Sequence, residues 1–322
     1  MKVVPLACAM SALSDLEKAR MLSPPGKVST TGGEMEGWEF WEEHRDLLNS
    51  AWKQYPKRHP TLYNWDSFES LYIAPSLRRA VEGAHRDRTA RAEAEVLSAF
   101  QAAGIPGVLQ SQEVFTPLFL QQFQEELDWI AQSGIPQRRP NGMNRFGNII
   151  DDVGFNSTIT AFVDKYLRPI AQVAYPDVIG EGDADEHYSF TVRYRRGEDL
   201  NLTRHRDASV VTMNLCLGRE WTGGELVFYD VLQVPQDRKL GGLPAESTEG
   251  QVPFHFRPGT VLLHKGQHEH EAMELISGER SNLIIWLHGK HGVVRVAEYK
   301  PHERTTPMER WQCKNPALCR AD

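Results

Sequence analysis

The sequence predicts an α+β fold in which a helical N-terminal region precedes a jelly roll, two antiparallel sheets packed face to face. Three observations carry this prediction. The first half of the chain has apolar residues at helical spacing between helix caps, whereas after Glu186 they alternate along short runs. Glycine- and proline-rich turns separate those runs, as in β-sandwiches and barrels. Helices that precede such a sandwich are expected to pack on its outer side.

Helix caps mark two predicted helices in the first half of the chain. Thr116 followed by Pro117 provides an N-cap and a first-turn proline, and the helix that they begin is expected to end before Gly134. Another helix is predicted over residues 158–174, where apolar side chains recur on one face. Pro169 is expected to kink it, because proline lacks the backbone N–H of a helix interior.

Alternating apolar runs predict the strands of the second half. Each is bounded by glycine, proline or aspartate, and a small-molecule site between the two sheets is typical of the cupin-like form of this fold. The predicted strands cover residues 188–194, 210–217, 221–229, 258–264 and 282–287.

The chain divides into four expected segments. In the helical segment, an Ala-, Glu- and Arg-rich run over residues 88–103 predicts a helix that ends at Gly104. The segments are a flexible N-terminal segment (1–33), a helical region (34–110), the jelly-roll domain (111–295) and a C-terminal tail (296–322).

Composition narrows the function classes. The 322 residues carry a formal net charge of -7, so no global basic field favours nucleic acid or an anionic membrane as a partner. No apolar run reaches the roughly 20 residues of a membrane-spanning helix. Four scattered cysteines suit a reducing compartment, so we expect a cytoplasmic location, with the nucleus as the alternative. The short apolar opening, residues 1–13, makes only a poor cleaved secretory signal.

A histidine and an aspartate form the most informative motif. His205 and Asp207 are one residue apart, so on an extended segment their side chains point to the same side. Two imidazoles and one carboxylate are the protein ligands of mononuclear non-haem iron(II) centres, which keep open positions. His264, His268 and His270 share the same strand parity, so spacing leaves the third ligand open. The His-x-Asp triplet alone is also compatible with chance.

Arg280 follows a glycine turn and begins a predicted strand. A guanidinium fork holds a carboxylate in a bidentate pair, so Arg280 is the candidate to bind the far carboxylate of a dicarboxylic acid. The alternative is a surface salt bridge to Glu274 or Glu279, as for most arginines.

The motifs of the second half, taken together, resemble the prolyl-4-hydroxylase-type 2-oxoglutarate- and iron(II)-dependent dioxygenases. Those motifs are Tyr194, Gly197, His205, Asp207, Gly223-Gly224-Glu225-Leu226, Pro258-Gly259-Thr260, His270, Arg280 and Trp286. A second set is similar to the 2-oxoglutarate- and iron-dependent oxygenase domain-containing proteins within this superfamily. It comprises Val114-Phe115-Thr116, Arg139-Pro140-Asn141, Met143-Asn144, Phe146-Gly147, Thr222-Gly223-Gly224 and Leu263-His264-Lys265-Gly266.

The resemblance implies a double-stranded β-helix with iron held by His205, Asp207 and His270. It selects His270 because the distal histidine is expected ten positions before the basic residue, here Arg280. It also implies that Arg280 forms a salt bridge to 2-oxoglutarate and that Tyr194 contacts this cosubstrate.

The resemblance implies Fe(II) as cofactor, 2-oxoglutarate and O2 as cosubstrates, and L-ascorbate as an optional addition. A protein or peptide side chain is the expected substrate. One departure concerns Cys216, which stands where some relatives have a tyrosine on the cosubstrate; Asn214, on the same strand face, is the candidate replacement. The pocket rim is expected from residues 230–251 and 138–147, because loops carry function on a rigid scaffold.

Two other functions use the same features. A catalytically inactive jelly-roll binding module keeps the fold without needing three ligands, and a zinc-dependent hydrolase uses the same ligands. A carboxylate clamp at Arg280 argues against the hydrolase, which needs none. In the tail, Cys313 and Cys319 with His302 could bind zinc, although their spacing fits no standard zinc motif.

Overall fold

The computed structural model describes residues 13–24, 36–86, 95–179, 186–229 and 250–289. Several predictions concern other parts of the chain and lie outside these ranges. They include most of the N-terminal segment, nearly all of the loop over residues 230–251, and the C-terminal tail with Cys313, Cys319 and His302. The division into four segments stays a prediction.

Eight α-helices are described, together with one short 3-10 helix and two π-helical turns. No helix in these ranges combines the length and the apolar character needed to cross a membrane. The α-helices are α1 (Asp15–Arg20), α2 (Glu36–Glu43), α3 (Arg45–Gln54), α4 (Trp65–Tyr72), α5 (Pro75–Arg86), α6 (Pro117–Ala131), α7 (Asn156–Phe162) and α8 (Arg168–Ala174). The 3-10 helix is Pro60–Tyr63, and the π turns are Asp151–Phe155 and Val163–Leu167.

Helix α6 begins and ends where its caps predict. The Thr116 side chain accepts a hydrogen bond from the backbone N–H of Phe119 at 3.3 Å, and Pro117 occupies the first turn. The helix buries Phe119, Phe123 and Ile130, and the chain turns away at Gly134 with a positive φ of 72°. The prediction of this helix is confirmed.

The predicted helix over residues 158–174 is interrupted before its proline. The π turn Val163–Leu167 separates α7 from α8, and Pro169 lies in the first turn of α8. A regular helix would direct the N–H of residue 169 to the carbonyl of Lys165, and proline has no such N–H. The π turn includes Lys165, and just before the proline the Arg168 N–H donates to the carbonyl of Val163, five residues back.

In the described part of the chain, eleven strands form two antiparallel sheets. The larger has the order β1-β2-β9-β5-β11-β3, with β6 also paired to β11, and the smaller has the order β4-β10-β7-β8. The strands are β1 (Gln101–Ala102), β2 (Leu109–Ser111), β3 (His187–Arg195), β4 (Leu202–His205), β5 (Val211–Gly218), β6 (Trp221–Gly223), β7 (Leu226–Phe228), β8 (Val252–Phe254), β9 (Val261–Lys265), β10 (His270–Ala272) and β11 (Leu275–Leu287). The predicted α+β jelly roll with packing helices is confirmed.

Strand alternation gives the larger sheet two buried faces. On β5 and β11, Leu215 and Leu283 face the helices and share one hydrophobic core with Phe119. Their neighbours Cys216 and Ile284 face the smaller sheet and form a second core. The space between the two sheets is therefore enclosed by side chains from both, and the candidate site lies there.

Strand β11 is longer than predicted, because Arg280 lies within it rather than at its start. Gly278 makes this possible. Its φ is 81°, and a Cβ atom there would lie 1.9 Å from the carbonyl oxygen of Glu220 on the strand pair β6–β11. Only glycine fits this close approach.

Substitution of Gly278 by alanine is expected to destabilise the fold strongly. The positive φ costs about 1–2 kcal/mol for a residue with a Cβ, and the steric overlap adds about 1–3 kcal/mol. Gly104→Ala is the matched control, because Gly104 also has a positive φ, 79°, but a Cβ atom there would meet no other atom within 4 Å. Denaturant unfolding should show the larger loss in Gly278→Ala; equal losses would contradict the packing argument.

Candidate metal centre

His205, Asp207 and His270 come together at one end of the smaller sheet. His205 ends β4 and lies directly opposite His270, the first residue of β10. Asp207 follows β4, and its backbone N–H donates to the carbonyl of Gly266 at 2.8 Å. One donor atom from each of the three side chains lies within 4.8 Å of the other two. Among the described residues, this is the group that could hold a metal ion.

Backbone carbonyls orient both imidazoles. Nδ1 of His205 lies 2.8 Å from the carbonyl of Thr203, and Nδ1 of His270 lies 2.8 Å from the carbonyl of His268. A carbonyl only accepts hydrogen bonds, so each Nδ1 carries the proton and each Nε2 is the unprotonated ring nitrogen, the form that can bind a metal. The Nε2 atoms lie 3.5 Å and 3.7 Å from Oδ1 of Asp207. All three therefore present metal-binding atoms to the same point.

The other carboxylate oxygen of Asp207 is held by a hydroxyl. Thr212 Oγ1 donates to Oδ2 at 2.6 Å, and Ser209 Oγ lies 2.8 Å from Thr212 Oγ1. Because Thr212 gives its proton to the carboxylate, it accepts one from Ser209. This arrangement leaves Oδ1 of Asp207 directed at the two imidazoles.

Burial and neighbouring groups set the protonation of the centre. Burial lowers the pKa of His270 to about 3, so its imidazole is neutral at pH 7. Burial raises the pKa of Asp207, but the surrounding imidazoles lower it more, and the net pKa lies below the ordinary value. A neutral imidazole and an ionised carboxylate are the forms that bind a metal cation.

The two other candidate histidines take different positions. His264 is fully buried, and its Nε2 lies 3.8 Å from Oδ2 of Asp207, the oxygen that Thr212 also contacts. The His268 ring packs 4.9 Å from that of Phe228. Strand parity in the sequence does not distinguish His264 and His268 from His270. The pairing of β4 with β10 does, because it places His270 directly opposite His205.

Arg280 is buried on the inner face of β11, with 2% of its surface exposed. Its guanidinium donates to the carbonyl of Gly224 and lies 4.9 Å from the centre of the Tyr194 ring. Its Nε has no hydrogen-bond partner among the described residues. Burial lowers the pKa of Arg280, so an anion beside it would be strongly stabilised. The alternative prediction, that Arg280 forms a surface salt bridge, is wrong, because Arg280 is buried and Glu279 pairs with Arg195 and Arg219 instead.

Residues 52–180 match the family model described as the OGFOD2-like domain. The chain contains an OGFOD2-like domain. The resemblance that the sequence motifs indicated is thus confirmed, although the matched residues end before β3 and do not include His205, Asp207 or His270.

Two relatives and one solved structure extend the comparison. The 2-oxoglutarate and iron-dependent oxygenase domain-containing protein ICU11 of Arabidopsis thaliana is 34% identical over 250 residues, covering 76% of this chain and 58% of that protein. The domain-containing protein 2 of Xenopus tropicalis is 40% identical over 175 residues, covering 54% of this chain and 47% of that protein. The chain thus spans about half the length of these relatives. A prolyl-4-hydroxylase from Pseudomonas putida, 14% identical, has a TM-score of 0.41 and covers 67% of this chain and 100% of its own.

Beyond Arg280, further polar groups line the inner face of the larger sheet. Asn282 lies opposite Cys216 on β5, and its Nδ2 donates to Oδ1 of Asn214 at 2.7 Å. The Oδ1 of Asn282 is buried without a hydrogen-bond partner in the described part of the chain. Burial raises the pKa of Cys216 to about 12, so its thiol is neutral. Asn214 and Cys216 therefore share the face of β5 on which both were predicted.

Tyr194 lies directly opposite Arg280 on β3 and is 3% exposed. Its hydroxyl accepts a hydrogen bond from Asn144 at 3.3 Å. Burial raises the pKa of Tyr194, so it is a neutral phenol. The predicted rim segment, residues 138–147, runs beside this strand, and the Arg193 N–H donates to the carbonyl of Phe146 at 3.0 Å.

The sequence analysis did not identify Thr212, and it placed Asn144 in a motif and in the pocket rim without predicting its contact with Tyr194. Thr212 lies five residues after Asp207 on a strand read only as apolar, and Asn144 lies 50 residues before the tyrosine that it contacts. The available signal for Thr212 was a hydroxyl side chain on a strand whose other residues are mostly apolar.

Proposed function

We propose that the chain is an Fe(II)- and 2-oxoglutarate-dependent dioxygenase. His205, Asp207 and His270 would hold the iron, and Arg280 would bind the far carboxylate of 2-oxoglutarate. The observation that carries the proposal is a buried arginine that has no carboxylate partner among the described residues, in the inter-sheet space that also contains two histidines and an aspartate. The relatives' names, which specify 2-oxoglutarate and iron, support it.

The side chains fit both groups. Two imidazoles and one carboxylate suit Fe(II) and leave positions for other ligands. Strand β7 lies between the metal ligands and Arg280. Its last residue, Phe228, pairs with His270, and Gly224, whose carbonyl accepts a hydrogen bond from Arg280, lies four residues before Phe228. Gly224 lies before the strand and has a φ of 68°, so the segment from Gly224 to Phe228 spans at most about 13 Å. A five-carbon dicarboxylate fits within that length, between the metal ligands and the arginine side chain.

The residues of the chain bind and orient the reactants. Bound iron, with 2-oxoglutarate and O2, would supply the chemistry that inserts one oxygen atom into a C–H bond and releases succinate and CO2. Arg280 fixes one end of the cosubstrate by charge in a low-dielectric pocket. Tyr194 lies beside it as a hydroxyl donor. Apolar walls that include Phe228 and Trp286 exclude water from the space between the sheets.

The two alternatives are less well supported. A zinc hydrolase would use the same three ligands, but it has no need of a buried guanidinium placed for a dicarboxylate. An inactive binding module would not need a complete ligand set with oriented Nε2 atoms, and this chain has one.

The substrate, the ascorbate requirement and the location are further parts of the proposal. The motif likeness to prolyl-4-hydroxylase-type enzymes supports a C–H bond of a protein or peptide side chain as the substrate. L-Ascorbate would be an optional reductant that maintains Fe(II). The four scattered cysteines support a reducing compartment, and we propose the cytoplasm.

Succinate formation tests the proposed function. The purified chain should convert 2-oxoglutarate to succinate only when both Fe(II) and O2 are present, and Zn²⁺ should not replace iron. A peptide library then identifies the substrate as the peptide that gains one oxygen atom and raises the succinate yield. Absence of succinate with iron, combined with hydrolysis in the presence of zinc, would favour the hydrolase instead.

A further inference from the structure

The segment of residues 139–147 lies beside β3, and the proposed function gives none of its residues a role. Two asparagines of this segment, Asn141 and Asn144, are buried, with 7% and 1% of their surfaces exposed. They form a chain of hydrogen bonds that ends at the hydroxyl of Tyr194. The direction of each bond in this chain can be determined from the backbone.

The backbone fixes the orientation of the Asn141 amide. Its Oδ1 lies 2.8 Å from the backbone nitrogen of Met143 and 2.7 Å from that of Asn144. A backbone N–H can only donate, so the side-chain atom that meets both must be the oxygen. The amide nitrogen of Asn141 therefore faces the side chain of Asn144, where it donates to Oδ1 at 3.0 Å.

The donor and acceptor of the hydrogen bond between Asn144 and Tyr194 can be assigned in the same way. Because Asn141 donates, the Asn144 atom that it meets must be an oxygen, and the Asn144 nitrogen faces the Tyr194 hydroxyl at 3.3 Å. The Tyr194 oxygen accepts this hydrogen bond, so its own proton remains to be donated elsewhere. The Arg280 guanidinium lies over the Tyr194 ring, 4.9 Å from its centre.

We propose that Asn141 and Asn144 are positioning residues that commit the Tyr194 hydroxyl to donate its proton toward the carboxylate bound by Arg280. The inference rests on the proposed function, because it takes 2-oxoglutarate as the ligand. A hydroxyl that is already oriented as a donor meets an anion without reorganisation. It also selects against a ligand that itself donates a hydrogen bond at this position. The 139–147 segment thus becomes part of the cosubstrate site.

Asn141→Asp reverses the chain while changing the size of the side chain very little. An aspartate still accepts from the N–H groups of Met143 and Asn144, so the turn keeps its hydrogen bonds. It cannot donate to Asn144, however. The Asn144 amide would then turn, donate to the aspartate and present its oxygen to Tyr194. The Tyr194 proton would be given to Asn144 and withdrawn from the pocket.

The test measures 2-oxoglutarate binding by calorimetry to the Mn²⁺-loaded chain, in which manganese stands in for iron. Wild type, Asn141→Asp, Tyr194→Phe and the double variant are compared. Each single variant is expected to weaken binding about tenfold to a hundredfold, the effect of one hydrogen bond to a charged group. The double variant should bind no more weakly than Tyr194→Phe alone. Mn²⁺ affinity should be unchanged in all four chains, because the segment does not supply a metal ligand.

The outcomes separate this inference from the function on which it rests. If wild type binds 2-oxoglutarate and Asn141→Asp binds it equally well, or if the two losses multiply in the double variant, the inference is overturned and the proposed function stands. If wild type with Mn²⁺ does not bind 2-oxoglutarate, both are overturned. Asn144→Asp, which reverses the last step directly, replaces Asn141→Asp in the same cycle if that variant does not fold.

Discussion

Replacing Asp207 by alanine should abolish the conversion of 2-oxoglutarate to succinate and weaken metal binding at least a hundredfold. The carboxylate is 5% exposed, and its Oδ1 faces the Nε2 atoms of His205 and His270. Loss of a residue that only supports a metal ligand costs about 10- to 100-fold in affinity, so loss of the ligand itself should cost more. Calorimetric titration with Mn²⁺ and a succinate assay with Fe(II) measure the two effects.

Glu126→Gln is the matched control for this substitution. Glu126, on helix α6, is also a fully buried carboxylate, but it accepts hydrogen bonds from Tyr63 and from the backbone N–H of His59. Its loss should lower the free energy of unfolding and leave metal affinity unchanged. If Asp207→Ala retained wild-type metal affinity, the ligand assignment would be wrong.

Replacing Arg280 by methionine should weaken 2-oxoglutarate binding about 30-fold to several thousandfold. Truncating one partner of a buried charge pair costs about 2–5 kcal/mol, which corresponds to this range. Metal affinity should be retained, because Arg280 lies at the other end of β7 from His270. The affinity of Arg280→Lys for 2-oxoglutarate should fall between that of Arg280→Met and that of wild type, because lysine keeps the positive charge but not the two-pronged guanidinium.

Arg193→Met is the control for Arg280→Met. Arg193 lies next to Tyr194 on β3, but its guanidinium forms a bidentate salt bridge with Glu198. This variant should bind 2-oxoglutarate as wild type does. Equal binding by Arg280→Met and wild type would show that the buried guanidinium does not hold the cosubstrate.

Local signals predicted the parts of the fold that depend on neighbouring residues. The cap at Thr116 and Pro117 and the long strands β3 and β5 follow from caps and alternation within one segment. The three-residue strands β8 and β10 are too short to show a period. They exist because distant strands pair with them.

Residues 101–102 show how distant pairing overrides a local pattern. The Ala-, Glu- and Arg-rich run over residues 88–103 predicts a helix, yet Gln101–Ala102 form β1. This strand pairs with β2, which in turn pairs with β9 about 160 residues later in the chain. No signal within the run contains that information.

Some residues of the candidate site could likewise be predicted from the sequence, and others could not. His205 and Asp207 could be proposed from the sequence because they lie two residues apart on one extended segment and have the side chains of iron ligands, and the other motifs of the resemblance support them. Choosing His270 needed the family resemblance, and the register of β4 with β10 gives the physical reason. Thr212 and Asn144 act through contacts between side chains that no periodicity records.

An anaerobic titration tests the central proposal most directly, that three metal ligands and one arginine serve a single pocket. Fe(II) and 2-oxoglutarate are added to the chain without O2, and the visible absorption of their complex is followed. We expect a weak band that requires both additions and saturates at one equivalent of each. It should be absent in Asp207→Ala and appear only at higher 2-oxoglutarate concentration in Arg280→Met. No band in the wild-type chain, or an unchanged band in Asp207→Ala, would contradict the proposal.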